Sequence, residues 1–121
     1  MPQESGSVNA LREAIVTIRF AKGEEFDCLV DTGFDGALML PAPVVARLKL
    51  SIVARLVFEL AGGARMAADV ALAEVEWLGG RRDVEVIVSQ SNDALMGTEL
   101  FEDTQLVIDY RKGLVIISRH A

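Results

Sequence analysis

Cysteine and histidine each occur once in this chain, as Cys28 and His120. A lone cysteine cannot close an internal disulfide, which points to a reducing compartment. One cysteine and one histidine cannot build a zinc site of the usual kinds. The same scarcity removes most Ser-His-Asp and Cys-His schemes of nucleophilic catalysis. Long apolar runs are also missing, since no stretch nears the roughly 20 apolar residues that span a bilayer. Met1 to Ser7 is polar and lacks the basic-then-apolar order of a signal peptide. Positive charge is thin as well. The net charge is -6, the basic residues are scattered, and the one tight pair, Arg81-Arg82, follows Gly79-Gly80 as part of a turn. Nucleic-acid binding rests on clustered Lys and Arg. The expectation is therefore a cytoplasmic protein with no nucleic-acid partner, no membrane association, no cofactor and no metal. Arginine in excess of lysine, with abundant alanine, hints at a GC-rich bacterial genome. For side-chain chemistry, carboxylates remain as the natural candidates.

What is present suffices for a packed domain. Of 121 residues, 51% are hydrophobic and 25% charged, a composition that argues against disorder and makes a single core feasible. A domain this small leaves much surface exposed, and an obligate partner would bury more. Residues 1–13 read as an N-terminal tail and 14–121 as the domain. Ala14 to Phe20 alternates, with Val16, Ile18 and Phe20 facing one way and Ile15, Thr17 and Arg19 the other. Lys22-Gly23-Glu24 turns the chain into a second strand, Glu25 to Val30. Pro41 and Pro43 open a short helix to about Leu48. Arg55 to Leu60 is a strand ending in the turn Ala61-Gly62-Gly63-Ala64. Met66 to Leu78 pulls two ways. Its Ala, Glu and Leu content favours a helix, while its alternation favours a strand with a bulge near Ala73. The flanking strands decide for a strand. Asp83 to Ser89 alternates cleanly. Ala94-Leu95-Met96 is a short strand ending at Gly97, and Thr98 to Glu102 reads as a helical turn capped by Thr98. Gln105 to Tyr110 and Leu114 to Ser118 form a closing hairpin. Many short strands with glycine turns imply a small closed or folded-over sheet.

One loop concentrates the chemistry. Asp31-Thr32-Gly33-Phe34-Asp35-Gly36 lies between the apolar stretches Cys28-Leu29-Val30 and Ala37-Leu38-Met39-Leu40. The tripeptide Asp31-Thr32-Gly33 alone arises by chance in roughly 2% of chains of this length, and taken alone it is more often a turn cap than a catalytic loop. Its setting sharpens it. A carboxylate at the end of a buried strand sits beside a low-dielectric interior. Thr32 offers a hydroxyl to fix the loop, and Gly33 allows a close approach of substrate or a second chain. The other notable residues have ordinary readings. Asp93, Glu99, Glu102 and Asp103 read as solvated surface charges, Trp77 as a core or interface aromatic, and Cys28 as a small buried hydrophobe. Gly62-Gly63 reads equally as a mobile flap tip and as a plain hairpin turn.

Four segments in order carry a resemblance. Cys28 to Pro41 resembles the active-site loop of the retropepsin-like aspartic proteases, in particular the small single-domain bacterial and archaeal group. Leu60-Ala61-Gly62-Gly63 is similar to their flap hairpin. Ala94-Leu95-Met96-Gly97-Thr98-Glu99-Leu100-Phe101 is similar to their second signature, and Leu106 to Tyr110 with Leu114 to Ile117 resembles their closing hairpin. The likeness spans about residues 14–118. It implies a mainly β, retropepsin-like closed half-barrel with one or two short helices, active as a homodimer on a peptide or protein substrate. It further implies Asp31, Thr32 and Gly33 as catalytic loop residues, with Thr32 bonding across the dimer. Asp35, Gly36, Ala61, Gly62 and Gly63 would contact substrate. Retroviral members carry Arg after the second-signature glycine, and this chain carries Thr98 there, so Asp35 loses its expected charge partner. The chain has one Asp-Thr-Gly loop, and an acid-base pair of carboxylates needs two, so the second must come from another copy. A dimeric binding module of the same fold with little or no protease activity is the alternative.

Overall fold

The computed structural model describes residues 2–59 and 62–119. Its elements in chain order are β1 Gln3–Val8, β2 Ala14–Phe20, β3 Glu25–Val30, β4 Leu38–Pro41, the helix α1 Ala42–Arg47, β5 Ser51–Glu59, β6 Arg65–Trp77, β7 Gly80–Ser89, β8 Leu95–Met96, a 3-10 turn at Thr98–Phe101, β9 Gln105–Asp109 and β10 Leu114–Ser118. The strands form one sheet in the order β5-β6-β7-β4-β8-β3-β2-β1-β10-β9, and it folds over on itself where β6 also pairs with β2. This is the mainly β, half-barrel architecture expected from the sequence, with short helical segments at the two expected places.

Alternation does the building. In β2 every second residue is buried, with Val16, Ile18 and Phe20 inside, as period-two patterning requires. Val84, Val86 and Val88 of β7 repeat the pattern. The core gathers these side chains with Cys28, Leu38, Leu40, Met96, Leu100, Val115 and Ile117. Pro41 and Pro43 bracket the start of α1, where their fixed φ and missing N–H cost nothing. Trp77 is buried and donates its Nε1–H to the Leu100 carbonyl at 3.0 Å, tying β6 to the 3-10 turn.

Four features depart from the sequence reading. Gln3–Val8 is a strand and not a loose tail, because it pairs with both β2 and β10. Its polar residues hide the pattern, yet Glu4 is 5% exposed. The Glu4 carboxylate accepts both contacts of Arg19 Nη2 at 3.1 Å and the Leu78 N–H at 2.8 Å. The carboxylate thus fills the point where β2 changes neighbour from β1 to β6. Second, β6 has no bulge at Ala73. Its register with β7 runs unbroken from Val70↔Ile87 to Trp77↔Gly80, and the irregularity falls instead on β5, between Ile52 and Ala54. Ala71, Ala73, Val75 and Trp77 share the buried face, and Leu72 faces out. Third, two strands start early: β5 begins at Ser51, four residues before the expected start, and β7 at Gly80, so Arg81-Arg82 is paired with β6 and is strand, not turn. Fourth, Gly97 caps the 3-10 turn and no side chain bonds there. The Thr98 hydroxyl donates to the Phe34 carbonyl at 3.3 Å instead.

Candidate active site

The Asp31 loop is placed by a strand inserted between two others. β8 runs parallel to β3, with Leu29↔Leu95 and Val30↔Met96, and antiparallel to β4, with Leu38↔Met96 and Met39↔Leu95. The two strands flanking the loop are thus held apart by one strand from much later in the chain. The Asp31 N–H donates to the Met96 carbonyl at 2.9 Å, carrying the β3–β8 ladder one residue into the loop.

The second segment then clamps the first. Gly97 N–H donates to the Ala37 carbonyl at 2.9 Å, Thr98 N–H to Phe34 at 2.9 Å, and Glu99 N–H to Gly36 at 3.2 Å. Gly97 is required here by space. A Cβ on it would come within 2.5 Å of the Phe34 carbonyl oxygen and closer still to that of Gly36. The need for Gly97 and the loop geometry are therefore one fact, written 60 residues apart in the chain. Phe34 is the residue that sequence reasoning missed. Its carbonyl accepts from both the N–H and the hydroxyl of Thr98, and its ring lies against Gly36 and Gly97. The two glycines flanking its position in space were the available signal.

The Asp31 carboxylate is half-buried in the single chain. Its Oδ1 accepts the Gly33 N–H at 2.9 Å, which fixes the side chain over its own turn. A Cβ at position 33 would stand 3.2 Å from that oxygen, so a side chain there would crowd the carboxylate. Thr32 and Gly33 are exposed. Leu29, two residues before Asp31, shares its ladder position with Leu95, which in turn pairs with Met39. These three half-buried apolar side chains stand on the face away from the core, beside the loop. Asp35 is exposed and lines a shallow recess with Thr98, Glu99, Phe101 and Glu102. It forms no ion pair among the described residues. Asp93, Glu99, Glu102 and Asp103 are all exposed, as solvated charges.

The hairpin β5–β6 pairs from Ser51↔Leu72 to Glu59↔Arg65. Gly62 and Gly63 at its tip have φ of 91° and 84°, the left-handed region that the turn demands and glycine accepts. Ala61, read from the sequence as a substrate contact, lies outside the described residues. Asp31, Thr32, Gly33, Asp35 and Gly36 fall together in one loop, with Gly62 and Gly63 on a separate hairpin. Cys28 is buried beside the loop, and its thiol is pushed up to about 12, first by burial and then by the neighbouring charge of Asp27. That rules it out as a ready nucleophile at neutral pH.

Solved structures share this fold. A retropepsin-like aspartic protease from Rickettsia conorii superposes with a TM-score of 0.70 at 18% identity, over 97% of this chain and 90% of that one. The chain has the retropepsin-like aspartic protease fold. The EIAV protease, in complex with the inhibitor HBY-793, matches with a TM-score of 0.60 at 16% identity, over 78% of this chain and 90% of its own. The simian foamy virus protease matches at 0.51 and 16% identity, over 84% and 92%. No protein-family model matches the sequence, and no curated protein matches it either. At such identities the retropepsin-like likeness is one of fold, carried by backbone course and not by shared side chains. Among the described residues, no helix is long and apolar enough to cross a membrane.

Proposed function

We propose that this chain is half of an aspartic endopeptidase, completed by a second copy that supplies a second Asp31. The observation carrying this reading is the Asp31-Thr32-Gly33 loop itself. It lies at the mouth of an inserted strand and is held by the Gly97 clamp, with the carboxylate oriented by the Gly33 N–H and left half-exposed. A plain turn cap has no use for a clamp built from a segment 60 residues later.

Peptide hydrolysis by carboxylates needs one as base and one as acid. Two carboxylates about 3 Å apart do not both ionise, so the pair shares one proton and titrates as a unit, as aspartic proteases are known to do. A water between them loses a proton to the ionised carboxylate as its oxygen attacks the peptide carbonyl carbon. The protonated partner donates to the carbonyl oxygen. The tetrahedral intermediate then collapses, the C–N bond breaks, and the amine leaves with a proton returned from the pair. No covalent enzyme intermediate forms. Thr32 bonds across the two loops and holds their spacing. Asp35 and Gly36 bind the extended substrate main chain, and Leu29, Leu95 and Met39 offer an apolar wall to its side chains. The hairpin tip at Gly62 and Gly63 closes over the substrate and excludes water.

Asp35 forms no ion pair among the described residues, which favours the second reading, a dimeric binding module of the same fold. One experiment separates the two. A peptide library is incubated with the chain from acidic to neutral pH, with Asp31→Asn in parallel. Cleavage that disappears in the variant supports the peptidase. An intact dimer that cleaves nothing at any pH supports the binding module.

A further inference from the structure

Away from the Asp31 loop, one edge of β6 changes partner. It pairs with β5 as far as Ser51↔Leu72 and with β2 from Phe20↔Val75, while β7 covers its other edge. The Ala21 N–H donates to the Glu74 carbonyl at 2.9 Å just inside this fork. A cavity of about 200 Å³ opens there, between the β2–β3 turn, the exit of α1 and the root of the β5–β6 hairpin. The length of β3 separates it from the Asp31 loop, a distance of about 20 Å at roughly 3.3 Å per residue. The floor of the cavity is apolar. Phe20, Leu48 and Ala73 are buried beneath it, and half-buried Leu50 and exposed Leu72 wall it. Its rim carries both signs of charge, Lys22 and Lys49 against Glu24 and Glu74. All four are exposed, and none enters an ion pair among the described residues.

Two details of the rim bear on what it holds. Glu74 stands directly opposite Asp83 in the β6–β7 ladder, and like charges so placed repel. An ammonium group beside them relieves that repulsion. Lys49 follows α1 with φ of 55°, at a place after a helix where glycine is the ordinary choice. The chain thus keeps a cationic side chain at the cavity mouth at a cost in backbone strain. We infer that this cavity binds a free amino acid with an apolar side chain. The side chain fills the apolar floor, the α-carboxylate meets Lys22 and Lys49, and the α-ammonium meets Glu24 and Glu74. The volume agrees, since a cavity of about 150 Å³ holds a benzene ring. An apolar body fixed by a few polar groups is the usual composition of a ligand site. A simple carboxylate leaves both glutamates unmatched, and a simple amine leaves both lysines unmatched. A molecule with the two charges at one end satisfies the whole rim. Once bound, it touches three segments at once and ties the root of the β5–β6 hairpin to the β2–β3 turn. The inference is independent of the peptidase reading.

The test is titration of the isotope-labelled full chain with L-leucine, followed by its amide NMR shifts. A dissociation constant on the order of 1 mM is expected for so few atoms, with the shifts centred on Lys22, Lys49, Leu50, Leu72 and Glu74. Two probes divide the charges. Isocaproate has the leucine body without the ammonium, and isoamylamine has it without the carboxylate. Each is expected to bind about tenfold more weakly than leucine, the loss of one charged hydrogen-bonding group. Lys49→Gly removes the ammonium and relieves the backbone at once, so leucine binding is expected to weaken about tenfold while the melting temperature holds or rises. Glu74→Gln keeps the shape and removes the opposite charge, with a similar loss. Shifts absent from these amides at millimolar leucine overturn the inference. So does either single-charge probe binding as tightly as leucine, or either variant keeping wild-type affinity. Peptide cleavage bears on none of these outcomes, so this site and the peptidase reading stand or fall separately.

Discussion

Replacing Gly97 by alanine adds one methyl group at the point where two distant segments meet. Gly97 has φ of -110°, a conformation open to any residue, so backbone strain is not the issue. The methyl would press on the carbonyl oxygens of Phe34 and Gly36 and on the Phe34 ring. Two of those obstacles are backbone, which cannot rotate away as a side chain can. Overpacking of this kind costs about 1–3 kcal/mol. Relief requires the Asp31 loop to withdraw, which stretches the bonds from Gly97, Thr98 and Glu99 to Ala37, Phe34 and Gly36, each worth about 1 kcal/mol net. The expected loss is about 3 kcal/mol, seen as a fall in melting temperature of about 10 °C for a domain of this size. Urea unfolding followed by Trp77 fluorescence measures it. Gly63→Ala is the comparison, since nothing lies within 4 Å of a Cβ there and only its φ of +84° resists, at about 1 kcal/mol. Equal losses in the two variants, or a change within 0.5 kcal/mol for Gly97→Ala, would refute the clamp.

Other predictions follow from the same structure. Glu4→Ala leaves the Leu78 N–H and the Arg19 guanidinium without their shared acceptor, and is expected to cost about 2 kcal/mol in urea unfolding, whereas Glu13→Ala at the exposed turn costs less. Trp77→Phe strands the Leu100 carbonyl, for a loss of about 1–2 kcal/mol in the same assay. Cys28 gives a pH signature. Its thiol is raised from 9.0 to about 12 in the folded chain, so below pH 9 the thiol stays protonated whether the chain is folded or not. From about 9 to about 12 only the unfolded chain loses it, and stability falls as pH rises through that window. Cys28→Ala is expected to flatten that decline, and an identical pH profile in the variant would contradict the burial argument.

The legibility of this fold follows from where its information is stored. β2 and β7 were readable because their alternation is local and apolar, and the Asp31 loop because short apolar stretches frame it. β1 was not readable. Its exposed positions are polar and its inward position 4 is a glutamate, so the hydrophobic signal is replaced by an ion pair with Arg19 that only the fold creates. The β6 face was misread because small Ala71 and Ala73 carry the buried side while the larger Leu72 faces out, so size and burial run against each other. The role of Thr98 was likewise hidden, because the Phe34 carbonyl it bonds is 64 residues away in sequence and adjacent in space. The Asp-Thr-Gly loop could be named from sequence, but the clamp that distinguishes it from a turn depends on long-range pairing.

The central claim is that each chain brings one Asp31 to a site shared by two copies. Mixing wild type with Asp31→Asn at fixed total concentration, allowing exchange, and measuring peptide cleavage tests it most directly. If the site needs both carboxylates, only dimers of two wild-type chains cleave, and activity follows the square of the wild-type fraction, about a quarter at equal mixing. Activity that falls in simple proportion to the wild-type fraction would mean that each chain works alone, and the shared site would have to be abandoned.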